Sequence, residues 1–120
     1  MSVHITRPTS TSAEIAWEPG DDPQGFLVQA IDQDRLAWAL DALADPAGGL
    51  PETPDAALTA AHHTTALAKD LKRRAAVQVV RLRDDHGHSW RAIAKAVLGD
   101  ADKHQAVRRM YDSGHRPADD

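Results

Sequence analysis

The chain has 120 residues, no cysteine, 4% aromatic residues and a formal net charge of −4 at pH 7. That length suits one domain, or a small domain with an appendage, and so few aromatic residues leave the core to Leu, Val, Ile and Ala. The lack of cysteine excludes disulfides and thiolate metal sites. No apolar run approaches the roughly 20 residues that span a bilayer, and the N-terminus lacks a signal peptide's apolar segment, so the expectation is a soluble, cytoplasmic protein with no membrane association.

The charge is divided along the chain. Residues 1–68 hold two basic residues (Arg7 and Arg35) against ten acidic ones, a net of −8. Residues 69–116 hold twelve basic residues against six acidic ones, a net of +6, and Asp119-Asp120 add −2. A polyanion responds to the local field, not to the total. Two tasks are therefore expected, one for each half.

At the N-terminus, residues 3–6 alternate weakly and 13–18 place Ile15 and Trp17 on one side, which predicts two short strands around a turn at 7–12. Residues 19–25 have loop chemistry. The apolar run 26–31 fits a strand or a helix start; the strand is the reading, because Asp32-Gln33-Asp34 then opens a helix over 33–44 with Leu36, Leu40 and Leu43 as its stripe. Residues 45–52 read as a linker. The expected division is residues 1–48, an acidic β/α region for dimerisation or partner binding, and 49–120, a long helix with a DNA-binding unit.

Thr53-Pro54 supplies a helix start, Thr as N-cap and Pro at the first position. No Pro or Gly follows until Gly87, placed where a glycine ends a helix. Thr64, Leu67, Leu71, Ala75, Val79 and Leu82 form one stripe, with Val77 and Val80 off it. The helix is either continuous or broken near the two β-branched residues that follow His62-His63.

The most informative stretch follows. Ser89 is a natural N-cap, and Trp90, Ile93, Ala94 and Val97 recur at helical spacing on one face, with Arg91 and Lys95 outside. Gly99 marks a turn. Asp102 and Gln105 have capping-box spacing at the head of a second helix over 103–113, expected to end at Gly114. Val107, Met110 and Tyr111 share its inner face; Gln105, Arg108, Arg109 and Asp112 point the other way.

This pattern resembles the helix-turn-helix domains of bacterial transcription regulators, including the sigma-factor region-4-like type, in which Ser-Trp-x-x-Ile-Ala-x-x-Leu-Gly precedes an Arg-rich recognition helix. In this chain the glycine falls one residue later, and Asp100 follows it where an apolar residue is usual. The resemblance covers about residues 75–114. It implies a tri-helical C-terminal helix-turn-helix; together with the long helix before it and the small N-terminal antiparallel β element and one short helix read from the residue pattern above, the expected fold is mainly α (α+β). The resemblance further implies double-stranded DNA as partner, a homodimer, and a role in transcription regulation. Arg108 and Gln105 would read bases. Arg91, Lys95, Lys103 and Arg109 would hold phosphates, with Ser89 and His104 beside them. Gln105 has a second reading as a cap, and Arg109 as a partner of Asp112 or Asp102. Trp90 and Tyr111 are read as core, and the arginines of the long helix as solvated charge.

Other chemistry is thinly represented. The adjacent His62-His63 face different ways on a helix, and His86-x-His88 beside Asp84 and Asp85 lacks the converging ligands zinc needs. No glycine-rich phosphate loop and no Gly-x-Ser-x-Gly motif occurs. No cofactor and no enzymatic activity are expected. The rival to DNA binding is a protein-interaction module, an antitoxin-like or polymerase-binding adaptor, acting through the acidic half.

Overall fold

The structure, a computed structural model, describes residues 2–116; Asp119-Asp120 lie outside the described residues. The chain is mainly helical with one small antiparallel sheet near its N-terminus, a mainly α (α+β) fold. It packs as two units, Met1–Thr64 and Thr65–Asp120. The expected boundary at residue 48 falls in the loop before the long helix, whose first part belongs to the first unit.

In the first unit, β1 (His4–Thr9) pairs with β2 (Ser12–Ala16), with Ile5 opposite Ile15. The turn is only Ser10-Thr11, shorter than the sequence predicts. Side chains close it: the Thr9 and Ser12 hydroxyls share a hydrogen bond of 2.7 Å, and Arg7 donates to the Ser10 carbonyl. Pro8 has no N–H for the ladder, and the pairing is irregular between Thr6 and Thr9.

The run expected as a strand is a helix instead, α1 (Phe26–Asp32), so among the described residues two short α-helices, and not one, precede the long helix, with a 3-10 turn at Pro19–Asp21 before them. The deciding group is Asp22, whose carboxylate accepts the N–H groups of Leu27 (3.0 Å) and Val28 (3.1 Å). Those amides would otherwise be orphaned at a helix start. A run this short has no periodicity that separates helix from strand. Asp34, at φ 62°, ends α1 and opens α2 (Arg35–Ala44); Asp tolerates this left-handed conformation better than most side chains.

Of the leucine stripe of α2, Leu36 is on the packed side but Leu40 and Leu43 are not. Leu40 is 54% and Leu43 82% exposed, whereas Arg35, Leu36, Trp38, Ala39 and Ala42 are half-buried. The packed face is rotated toward the small alanines and Trp38. The returning chain comes close on this helix: a Cβ on Gly49 would lie 2.7 Å from the Asp41 carbonyl oxygen.

The long helix α3 (Pro54–Asp84) is continuous through residues 62–65. Thr64 returns its hydroxyl to the Ala60 carbonyl at 3.1 Å, which accommodates it within the helix. The Thr53 carbonyl accepts the Ala57 N–H, and Gly87, at φ 68°, ends the helical course with its N–H on the Arg83 carbonyl.

In the second unit, α4 (Trp90–Leu98) and α5 (His104–His115) pack with the end of α3. Val79, Ile93, Ala94 and Val107 are buried together, with Leu82, Trp90, Leu98, Met110 and Tyr111 around them. Two details differ from expectation. Val97 is 42% exposed, and Leu98 takes the inner place one turn after Ala94. Leu71, expected in the α3 stripe, is exposed, while Val80, expected off it, is half-buried and lies beside Gly114.

Candidate nucleic-acid interface

The turn between α4 and α5 is built from local chemistry. Ser89 is the N-cap of α4, its hydroxyl accepting the Ala92 N–H at 3.1 Å. Gly99, at φ 76°, takes the left-handed conformation that closes α4. Asp100 then caps a short 3-10 turn, Ala101–Lys103, its carboxylate accepting the Asp102 N–H at 2.9 Å. The capping box expected between Asp102 and Gln105 is therefore replaced by Asp100. Asp102 instead reaches back to Arg91 on α4, Nη1 to Oδ1 3.2 Å. The 3-10 turn delays α5 to His104, one residue later than expected.

The end of α5 also departs from expectation. Gly114 lies within the helix, which runs on to His115. Its role is close approach: a Cβ there would meet the Ala76 carbonyl oxygen at 2.5 Å and Val80 Cγ2 at 2.7 Å. From α3, Arg73 donates to the carbonyls of Ser113 (2.7 Å) and Arg116 (2.6 Å), satisfying acceptors at the α5 C-terminus. Asp84 accepts from the Tyr111 hydroxyl at 2.7 Å and lies 3.1 Å from His115 Nε2. The hydrogen bond to this carboxylate holds the Tyr111 phenol above its usual pKa, with desolvation and the Asp84 charge acting the same way.

These contacts sort the arginines of α3. Arg73 caps α5, and Arg74 donates to the Asp70 carbonyl. Arg81 pairs with Asp85 at 3.0 Å. Arg83 donates to the His88 carbonyl and stands 4.4 Å from the Trp90 ring centre. The acidic groups beside His86 and His88 are thus engaged as well: Asp84 by α5 and Asp85 by Arg81.

On the outer face, Gln105, Arg108 and Arg109 of α5 are exposed, as are Lys103 and, on α4, Arg91 and Lys95. Arg108 stands 5.3 Å from the centre of the Trp90 ring, which meets Tyr111 edge-on. Trp90 therefore combines the core role expected for it with a stacking surface for cations. Ser89 spends its hydroxyl on its own helix. His104 is half-buried, with Nδ1 enclosed and without a protein partner among the described residues. Arg91 shares its charge with Asp102, an exposed pair of the kind worth at most about 1 kcal/mol. Arg109 pairs with neither Asp112 nor Asp102.

Sequence reasoning placed the exposed cations but missed Arg73, Asp84 and the Trp90–Arg108 contact. Arg73 acts forty residues from Ser113, and no local spacing signals such a pair. Comparisons with protein-family models, with curated proteins and with solved structures find no match. No described helix is long and apolar enough to cross a membrane.

Proposed function

We propose that the protein is a bacterial, cytoplasmic, sequence-specific DNA-binding regulator of transcription whose C-terminal helix-turn-helix lays α5 in the major groove. The observation that carries the reading is the outer face of α5, where Gln105, Arg108 and Arg109 stand clear of a core built on Val107. In this reading Arg108 bridges guanine O6 and N7, and Gln105 pairs with adenine. Lys95, Lys103 and Arg109 neutralise phosphates, with Arg91 shared between DNA and Asp102. The protein acts as a homodimer, one recognition helix for each half-site. Binding-site selection from random duplexes, followed by salt titration of the winner, tests it. A preferred site whose affinity falls steeply between about 50 and 200 mM salt supports the reading; no enriched sequence and no salt-dependent binding overturn it.

A second reading has its own observation. The first unit is acidic, and Leu40 and Leu43 of α2 project into solvent. Exposed apolar side chains on a small acidic unit suit a protein partner, as in an adaptor. Salt-insensitive capture of a protein, with no DNA affinity, would favour it.

A further inference from the structure

Beside the α3–α5 crossing, within the second unit, lies a groove of about 440 Å³ lined by Lys72, Ala75 and Ala76 of α3 and by Ala106, Arg109, Met110 and Ser113 of α5. Its origin is steric. Gly114 brings the two helices together against Ala76, and the alanines beside that crossing are too small to fill the space they leave. The volume is within the range of sites for small organic molecules.

The lining is two-sided in character. Alanine methyl groups and the Met110 thioether supply apolar surface, and Met adapts to irregular shapes. Lys72 and Arg109 bring two positive charges to the same groove, and neither is in an ion pair among the described residues. Among the described residues, no carboxylate lines the groove. Two cations over an apolar floor complement a ligand with one anionic head and an apolar body. The Ser113 hydroxyl is available to a second oxygen of that head.

We infer that this groove binds a small monocarboxylic acid with an aromatic or aliphatic body, its carboxylate between Lys72 and Arg109 and its body on Ala75, Ala76, Ala106 and Met110. The site stands whether or not α5 reads DNA. If it does, the acid and a phosphate would compete for Arg109.

The test uses the full chain without DNA, isotope-labelled and followed by amide NMR at neutral pH. It is titrated with phenylacetate and octanoate, with their neutral amides, and with inorganic phosphate. The expected result is saturable shifts centred on Ala75, Ala76, Ala106 and Met110 for at least one acid, with its amide weaker by about tenfold or more and phosphate weaker still. Lys72→Gln and Arg109→Gln, both at exposed positions, should each weaken the acid by a similar factor while leaving the rest of the spectrum in place. Absence of saturation by either acid, equal binding of acid and amide, phosphate binding as tightly as the acids, or shifts centred elsewhere would each overturn the inference. Because no DNA is present, failure here leaves the DNA reading untouched, and failure of site selection leaves this one untouched.

Discussion

Gly114 of α5 and Ala76 of α3 are in such close contact that a Cβ on Gly114 would lie 2.5 Å from the Ala76 carbonyl oxygen. Gly114→Ala sets two effects against each other. Alanine gains about 1 kcal/mol of helix propensity over glycine. Against this, the obstacle is backbone, so the methyl forces the helices apart and loosens the packing around Val80, at a cost of order 1–3 kcal/mol from overpacking. At the severity of a 2.5 Å approach the steric term should win. Urea unfolding should therefore show a less stable variant; a midpoint at or above that of the parent would refute the crossing.

Arg73→Met keeps most of the side chain's apolar stem and removes the two donors that reach the Ser113 and Arg116 carbonyls. The cost should be about 1–2 kcal/mol, toward the lower value because water can replace part of the lost bonding. Hydrogen exchange should accelerate first in the last turn of α5. Uniform acceleration, or none, would show that Arg73 is not the cap of that helix.

The Ser89 hydroxyl holds the Ala92 N–H at the start of α4. Ser89→Ala should lower stability by about 1 kcal/mol, and Ser89→Asp should restore it, since a carboxylate both caps the helix and complements its dipole. Thermal unfolding of the pair checks this; equal loss in both variants would contradict the capping role.

Tyr111 donates to Asp84, and its pKa is raised above the ordinary tyrosine value. The folded chain thus favours the neutral phenol. The associated stability is present below the unfolded tyrosine pKa of about 10 and is lost as pH rises through the higher folded value. Phenolate absorbance should titrate later than in unfolded chain, and Asp84→Asn, which removes the negative charge, should move it back toward the ordinary value. An unchanged titration in Asp84→Asn would remove Asp84 as the cause.

Arg108→Ala should relax preference at one base position, with a discrimination loss of about 1–3 kcal/mol. Lys95→Ala should weaken all duplexes alike and lower the salt slope by about 1. Anisotropy titrations against the selected site and its single-base variants measure both. Unchanged affinity and preference in Arg108→Ala would remove it from the interface.

Most of the second unit was legible in the order of its residues. Ser89, Gly87 and Gly99 announce helix ends by local chemistry, and the spacing of Trp90, Ile93 and Ala94 sets the buried face of α4. Capping and periodicity act within a turn or two of chain, so they are readable without knowing what lies across the fold. The same locality allowed the exposed cations of α5 to be placed.

Elsewhere only the folded chain decided. Residues 26–31 became helical because Asp22 reaches forward to Leu27 and Val28. The packed face of α2 turned away from Leu40 and Leu43 because packing favoured Leu36, Trp38 and the alanines. Gly114, which looks like a helix end, is a point of contact with Ala76, and Asp102, which looks like a cap, is the partner of Arg91. Each of these outcomes depends on which atoms another segment brings within a few ångströms. A one-dimensional pattern carries propensities and periods but not the approach of distant segments, and for α5 that approach determines both what anchors it and what it leaves open to a partner.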